Sequence, residues 1–240
     1  MISVRNLTKS YSAHGAVVDN LSLGVAEGEC VVLVGKSGCG KSTTLKMING
    51  LVTPDAGAVT VAGETVGGAD LPRLRRRIGY VIQSGGLFPH LTVAGNIALV
   101  ARLKRWSREK REARVRELLE MVGLEPGRFA QKFPLELSGG EQQRVGVARA
   151  LMLDPPILLM DEPFGAVDPI TRRQLQKDFL ALQTHLTRRK TIVFVTHDIR
   201  EALLLGNRIA VMESGRILQI GTPEEIQANP ATDFIKDFFS

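Results

Sequence analysis

Apolar and polar residues follow two different patterns along the chain, and each pattern predicts a different kind of strand. Some runs are apolar at almost every position, which is typical of parallel strands buried on both faces. These runs are residues 30–34, 78–82, 157–160 and 191–195. Other segments alternate between apolar and polar positions and predict short, half-buried antiparallel strands. They are residues 2–4, 17–25 and 58–62.

Two further patterns complete the predicted elements. Residues 92–153 have a mostly helical pattern, in which Ser107 is a predicted helix N-cap and Gly123 a predicted helix end. Between those two residues the apolar positions recur at helical spacing and form one stripe. The stripe consists of Val115, Leu118, Leu119 and Val122. Residues 208–212 and 216–220 flank Glu213-Ser214-Gly215 and predict a hairpin.

A glycine-rich segment, residues 35–42, lies between the first fully apolar strand and a predicted helix. It reads Gly-Lys-Ser-Gly-Cys-Gly-Lys-Ser and fits the phosphate-binding pattern G-x-x-x-x-G-K-[ST]. Glycines let backbone N–H groups curl around phosphate oxygens, and a helix N-terminus adds positive potential. A chance glycine turn is the weaker interpretation, because the strand and the helix that the motif requires are both predicted. The segment predicts nucleoside triphosphate binding, with Lys41 on the phosphates and Ser42 on Mg²⁺.

The composition indicates the broad class of protein and its cellular compartment, but it does not identify the function. The 240 residues include 44% hydrophobic and 23% charged residues, an ordinary globular balance. No apolar run approaches the ~18 residues of a membrane span, and the first residues lack the layout of a signal peptide, so we expect a cytosolic protein. Two cysteines predict neither a disulfide framework nor a metal site. Cys39, inside the glycine-rich segment, is either an alkylatable thiol or, on the favoured interpretation, a small filler residue.

The net charge of +6 permits contact with nucleic acid, acidic lipid headgroups or an acidic partner. Much of the excess positive charge lies in residues 102–116, which include the first half of the helix that begins at Ser107. A nucleic-acid surface would be better supported by interleaved aromatic residues, and Trp106 stands alone there. We therefore interpret this helix as a surface helix with a solvated basic face.

Two adjacent carboxylates follow the apolar run at 157–160. Asp161 at the end of a buried strand can coordinate Mg²⁺, and Glu162 can polarise an attacking water. An acidic pair after a strand is usually a solvated turn. Downstream of a phosphate-binding loop, however, the catalytic interpretation is favoured.

A second glycine motif, Leu137-Ser138-Gly139-Gly140-Glu141, precedes another predicted helix. A serine and two glycines at a helix start can bind an anion, and Ser138 with Glu141 also fits a capping box. Both interpretations can hold together. A second anion site so far from the first predicts that two chains meet head to tail around the nucleotide.

These motifs, in this order, resemble those of the ATP-binding-cassette ATPases over essentially the full chain. Residues 35–42, 137–141 and 157–162 match the family's first nucleotide motif, signature and second nucleotide motif. Glu141 departs from the usual glutamine of the signature. The resemblance implies an α/β fold: a P-loop NTPase (RecA-like) core with a small antiparallel β subdomain and an inserted α-helical signature subdomain at about residues 86–155. All 240 residues are expected to form this single ATPase domain.

The resemblance also implies roles for individual residues, with ATP and Mg²⁺ as ligands. The catalytic residues would be Glu162, His197, Gln83 and Lys41, and the Mg²⁺ ligands Ser42, Gln83 and Asp161. The nucleotide would contact Tyr11, Gly35, Lys36, Ser37, Gly38, Cys39, Gly40, Lys41, Ser42, Thr43, Gln83, Ser138, Gly139, Gly140, Asp161 and Asp168. Taken alone, several of these have ordinary alternatives: Tyr11 as a strand-end aromatic, Gln83 as a turn residue, and Asp168 as a helix cap.

Partners and cargo are implied by the resemblance alone. Residues 83–93, with Leu87, Phe88 and Pro89, resemble the surface on which importer ATPases receive a membrane permease. The expected assembly is a head-to-tail homodimer, peripheral on the cytoplasmic face of the plasma membrane and indirectly linked to a solute-binding protein, with no nucleic acid. Residues 44–49, 78–83 and 161–172 look most like ATPases of bacterial importers for glycine betaine, choline or carnitine. The alternatives are importers of amino acids, sulfonates or nitrate, a non-transport cassette acting on nucleic acid or ribosomes, or a nucleotide-binding scaffold without turnover.

Overall fold

The computed structural model describes residues 1–12, 15–68, 70–83, 86–165, 169–185 and 190–239. The strands are β1 (Ile2–Ser12), β2 (Gly15–Val25), β3 (Cys30–Val34), β4 (Ala56–Val61), β5 (Glu64–Thr65), β6 (Ile78–Val81), β7 (Ile157–Asp161), β8 (Thr191–Thr196), β9 (Arg208–Glu213) and β10 (Arg216–Gly221). The helices are α1 (Lys41–Ile48), α2 (Leu71–Arg75), α3 (Val93–Leu103), α4 (Arg108–Met121), α5 (Pro126–Phe129), α6 (Gly139–Leu151), α7 (Pro169–His185), α8 (Ile199–Leu205), α9 (Pro223–Ala228) and α10 (Asp233–Phe239). They form two compact units: Met1–Arg75 together with Lys190–Ser240, and Arg76–Arg189. The single ATPase domain and the helical subdomain at about residues 86–155, both expected from the sequence, stay predictions.

The first unit contains the predicted antiparallel sheet, with strand order β2-β1-β4-β5. Its strands β1 and β2 are 11 residues each, longer than the sequence pattern predicted. The predicted alternation of β1 stops before Asn6, and Asn6 and Asn20 of β2 both adopt positive φ, 48° and 49°. Asparagine tolerates this left-handed conformation better than most residues. The Asn6 amide donates to Asn20 Oδ1 at 2.8 Å, so the two strands stay paired across the irregularity.

The same unit holds the apolar parallel strands β3 and β8. Strand β3 is buried along its whole length and lies between β8 and β9, parallel to both. Val34 pairs with Thr196 at the end of β3 and β8. Because parallel strands end at the same edge of a sheet, the segments that follow these two residues emerge side by side. Strand β10 pairs antiparallel with β9, which confirms the predicted hairpin.

In the second unit, the parallel strands β6 and β7 are accompanied by the helices α3 to α7. Helix α4 begins at Ser107, whose hydroxyl accepts the Lys110 N–H, and the chain turns at Gly123 with φ 69°. The predicted apolar stripe of α4 is buried. On its polar face, Arg108 pairs with Glu112 at 2.7 Å and Arg114 with Glu117, so two of its arginines have acidic partners on the same helix.

Helix α6 is fixed at both ends, by a capping box at its N-terminus and by close packing on β6 at its C-terminus. The Ser138 hydroxyl accepts the Glu141 N–H and the Glu141 carboxylate accepts the Ser138 N–H, so the predicted capping box is confirmed. The other end of α6 packs against β6, where a Cβ atom on Gly79 would lie 2.6 Å from the carbonyl oxygen of Ala150. Only glycine permits this approach of helix to strand. Within the described residues, every helix is too short or too polar to cross a membrane.

Candidate functional site

The glycine-rich segment joins β3 to α1 with its backbone pressed against neighbouring chain. A Cβ atom on Gly35 would lie 2.1 Å from the Met212 carbonyl oxygen, and one on Gly40 would lie 2.4 Å from that of Val17. Gly40 also has φ 102°, a conformation that L side chains rarely adopt. The first N–H groups of an α-helix have no partner within the helix. The loop therefore forms a cradle of backbone donors at the N-terminus of α1, which fits the phosphates of a nucleotide.

Lys41 supplies the positive charge of this cradle. Its side chain is buried, and its ammonium donates to the carbonyl oxygens of Gly35 at 2.7 Å and Lys36 at 2.9 Å. The Cys39 thiol, also buried, lies 3.8 Å from the same nitrogen. Cys39 thus occupies the loop interior as a small packed residue. The ammonium is held within the ring of the loop rather than in solvent, so its charge is directed at the cradle.

A support beneath the loop was missed by the sequence analysis. The Gly215 N–H, in the turn between β9 and β10, donates to the Cys39 carbonyl oxygen at 3.1 Å. The Gly215 carbonyl oxygen in turn accepts the Asp19 N–H at 3.0 Å. Arg216 then grips the Asp19 carboxylate through two donors, at 2.8 and 2.6 Å. The sequence indicated a hairpin turn here, but gave no signal that the turn would carry the phosphate-binding loop.

His197 follows β8 directly and therefore emerges beside the start of the glycine-rich loop, which follows β3. The residues on either side of it are fixed by one network. The Thr196 hydroxyl donates to the buried Glu201 carboxylate at 2.6 Å and accepts the Asp198 N–H at 3.0 Å. Asp198 also caps α8 by accepting the Arg200 N–H at 2.8 Å. The network presents the exposed His197 side chain at the same sheet edge as the loop.

Tyr11 lies near the end of β1 with 60% of its surface exposed. The Lys9 ammonium is 5.6 Å from the ring centroid and pairs with the Asp55 carboxylate at 2.7 Å. An exposed ring of this kind can stack on a purine base. Its proposed contact with adenine stays a prediction.

In the second unit the structure brings Gln83, Asp161 and Glu162 together. Val81 of β6 pairs with Met160 of β7, so the residues after both strands emerge at one edge. The Gln83 amide donates to the Glu162 carboxylate at 2.8 Å. Glu162 has φ 44°, an unusual conformation for a side chain of its size and of the kind found at functional sites. A carboxylate held by strain and by an amide donor is suited to orient a water molecule.

Asp161 is the buried last residue of β7. Burial and, second, the negative charge of Asp161 raise the pKa of Tyr80 to about 12. Carboxylate and hydroxyl oxygens suit Mg²⁺ chemically, but within the described residues no three His, Cys, Asp or Glu side chains cluster as a complete metal site.

The signature segment lies in the second unit at the start of α6. Ser138 is exposed, and it borders a depression of about 420 Å³ together with Gly140, Arg128 and Arg144. Glu125 and Glu141 line it as well, so two guanidinium groups and two carboxylates surround the helix N-terminus. Asp168, predicted to contact nucleotide, lies outside the described residues.

Comparison with known proteins connects these features to a family. The ABC transporter family profile matches residues 18–165. The chain is 50% identical over 238 residues to the choline transport ATP-binding protein OpuBA of Bacillus subtilis, covering 99% of this chain and 62% of that protein. It is 50% identical over 239 residues to the glycine betaine uptake system ATP-binding protein YehX of Escherichia coli, covering all of this chain and 76% of that protein. The chain thus spans less than two thirds of the length of OpuBA.

A solved structure shares the fold. The dimeric post-hydrolysis state of the ATP-binding cassette MJ0796, bound to ADP and Pi, superposes with a TM-score of 0.84 at 36% identity, over 93% of this chain and 99% of that one. The predicted fold class, an α/β P-loop core with an antiparallel sheet and a helical part, is confirmed. The family profile covers more than half of the chain and the relatives are half identical to it over nearly its full length, so the chain belongs to the ABC transporter family.

Proposed function

We propose that this chain is the ATP-binding and ATP-hydrolysing subunit of a bacterial importer that takes up a quaternary-amine osmoprotectant. The observation that carries the hydrolytic part is the 2.8 Å hydrogen bond from the Gln83 amide to the Glu162 carboxylate, next to Asp161. Backbone strain of the kind that Glu162 shows is typical of functional sites, so it favours an enzyme over a nucleotide-binding scaffold without turnover. The cradle around Lys41 supports phosphate binding by the same chain.

The proposed roles follow the chemistry of each group. Lys41, Ser42 and Thr43 hold the phosphates at the N-terminus of α1. Glu162 accepts a proton from the attacking water while Gln83 orients the Glu162 carboxylate. His197 contacts the terminal phosphate. Phosphoryl transfer depends mainly on positioning and charge stabilisation, so these contacts account for catalysis without a covalent intermediate.

Mg²⁺ is proposed on oxygen atoms of Ser42, Gln83 and Asp161. When bound, it neutralises charge that develops on the phosphate oxygens. Asp161 fits this role because it is a buried carboxylate at a strand end. Adenine is proposed to stack on Tyr11, and the loop residues 35–40 to surround the phosphates. Asp168 is proposed as a further nucleotide contact.

Two copies of the chain are proposed to act as a head-to-tail homodimer. In this arrangement Ser138, Gly139 and Gly140 of one copy bind the terminal phosphate held by the other. The exposed position of Ser138 at the N-terminus of α6 supports this use, since a helix N-terminus favours an anion. The similar MJ0796 cassette is described as dimeric.

A membrane permease is the proposed second partner, and the assembly is proposed to lie on the cytoplasmic face of the membrane. Phe88 is 42% exposed, although its backbone is fixed by hydrogen bonds to the buried Asn96. The second unit also has an open groove of about 700 Å³, lined by apolar residues such as Val115 and Leu119 and by both arginines and glutamates. An exposed aromatic on a fixed backbone and an open apolar groove suit a short helix from a partner.

The cargo is proposed from similarity alone, because no residue of this chain is expected to contact it. OpuBA is named for choline and YehX for glycine betaine, and both are half identical to this chain.

The alternative function, a non-transport cassette that acts on nucleic acid, has little support from the basic face of α4. Two arginines of this face are paired with Glu112 and Glu117.

Pull-down of the tagged chain from detergent-solubilised native membranes tests this proposal. We expect a permease and a quaternary-amine-binding protein in an eluate that hydrolyses ATP. Recovery of ribosomes or nucleic acid without a permease would overturn the transport assignment. A recovered binding protein that binds amino acids, sulfonates or nitrate would overturn the cargo assignment alone.

A further inference from the structure

The backbone of residues 86–88 is anchored by side chains from two helices of the second unit. Arg149 of α6 donates to the Gly86 carbonyl oxygen at 2.7 Å. Asn96 of α3 accepts the Phe88 N–H at 2.7 Å and donates to the Phe88 carbonyl oxygen at 3.1 Å. The backbone of residues 86–88 is therefore held from both sides.

Gly86 also packs against the residue that immediately precedes Gln83. A Cβ atom on Gly86 would lie 1.9 Å from Cδ1 of Ile82, and the φ angle of Gly86 is +50°. The backbone at Gly86 thus touches the Ile82 side chain directly. Any shift of Gly86 must displace Ile82 or open a gap beside it, and Gln83 is the next residue along the chain.

Arg149 reaches this backbone because α6 lies unusually near β6. Gly79 allows the approach, since any side chain there would collide with the Ala150 carbonyl oxygen. Burial lowers the pKa of the Arg149 guanidinium from its ordinary value. Leaving a partly desolvated cation without a hydrogen-bond acceptor costs free energy. Loss of the bond to the Gly86 carbonyl oxygen would therefore be unfavourable in the folded unit.

We propose that Arg149 is a positioning residue for Gln83: it fixes Gly86, and through Ile82 it sets the place from which the Gln83 amide reaches Glu162. This proposal rests on the proposed function, in which Gln83 and Glu162 act on the attacking water. Arg149 lies in the last turn of the helix that Ser138 begins. A displacement of that helix on dimer closure would consequently be passed to Gln83.

Arg149→Met tests the proposal, with Arg114→Met as the matched control. Arg114 also donates from a guanidinium to a backbone carbonyl in this unit, to Leu151 at 3.2 Å, and among the described residues its hydrogen bonds go to Leu151 and Glu117 rather than to residues 86–88. We expect Arg149→Met to lower kcat for ATP about tenfold and to change KM less than about twofold. Arg114→Met should keep kcat within about twofold of the wild type.

A double-mutant cycle with Gln83→Ala separates positioning from general stability. If Arg149 acts through Gln83, adding Arg149→Met to Gln83→Ala should lower kcat by less than about twofold further. Losses that multiply in the double variant would overturn the proposal, as would an equal loss in Arg114→Met. Arg149→Lys, which keeps a charged donor, should recover part of the lost kcat and serves if the methionine variant fails to fold.

Hydrogen exchange without nucleotide distinguishes failure of this proposal from failure of the proposed function. We expect amides in residues 86–92 to exchange faster in Arg149→Met than in the wild type or in Arg114→Met. Unchanged exchange in that segment would contradict the positioning role, even in an active ATPase. Absence of turnover in the wild type would instead contradict the proposed function, and the exchange result would still decide whether Arg149 anchors the segment.

Discussion

Replacing Glu162 by glutamine removes a proton acceptor while leaving the surrounding geometry almost intact. The new side chain has the same length and still carries an oxygen that can accept a hydrogen bond from the Gln83 amide, whose nitrogen lies 2.8 Å from the Glu162 carboxylate oxygen. The backbone strain at φ 44° is the same for glutamate and glutamine. Lys41 and its loop are not altered. Glu162→Gln should therefore fold and bind ATP normally, and its defect should be confined to the chemical step.

The size of that defect follows from the role assigned to the carboxylate. A positioned general base typically contributes about 100- to 10,000-fold to a reaction. This corresponds to about 3–5 kcal/mol of the activation barrier. We therefore expect kcat to fall by at least about 100-fold while the ATP dissociation constant changes less than about threefold. Slow turnover with retained binding should also let the ATP-bound dimer accumulate.

The assay combines steady-state phosphate release, ATP binding by fluorescence and mass measurement by light scattering with ATP and Mg²⁺ present. Glu117→Gln, the same substitution on the exposed face of α4, is the control and should behave as the wild type. Turnover of Glu162→Gln within about threefold of the wild type would refute the assignment of Glu162 as the base. Loss of ATP binding in the variant would show that the side chain holds nucleotide rather than activating water.

Three further outcomes test the loop, the signature helix and the core. Gly40→Ala should weaken ATP binding at least about tenfold in calorimetric titration, because the new Cβ atom would lie 2.4 Å from the Val17 carbonyl oxygen. Gly24→Ala, which has open space around it, should leave the ATP affinity unchanged. Ser138→Ala should lower the free energy of unfolding by about 1 kcal/mol, as should Thr222→Ala in the capping box of α9, but only the former should also impair ATP-induced dimerisation. Burial raises the pKa of the Cys30 thiol from 9.0 to about 12, so its folded form favours the protonated thiol. The resulting contribution to stability is complete below pH 9.0 and should be lost as the pH rises toward 12, a loss that denaturant titration should find reduced in Cys30→Ala.

Local sequence patterns predicted the elements whose causes are local. The loop glycines, the caps at Ser107 and Ser138 and the apolar stripe of α4 are properties of a few neighbouring residues, and the structure contains all of these features. The full length of β1 was missed, because Asn6 interrupts the alternation although its side chain still bonds to Asn20 of β2.

Contacts between distant residues left no pattern in the sequence. Gly215 supports the phosphate-binding loop from a hairpin 176 positions after Cys39, counted from the two residue numbers. Arg149 reaches Gly86 from a helix 63 positions away. Each depends on a strand or helix arriving at one place in the fold, which neither periodicity nor spacing encodes. The same holds for the Glu201 carboxylate that fixes Thr196 beside His197.

We propose that this chain drives uptake of a quaternary amine by hydrolysing ATP. The most direct test is uptake of labelled choline and glycine betaine into proteoliposomes that contain the recovered permease and binding protein, with ATP and Mg²⁺ supplied to this chain. We expect uptake with the wild-type chain and none above background with Glu162→Gln. Uptake that continues with Glu162→Gln, or an active ATPase that moves neither amine, would contradict the claim.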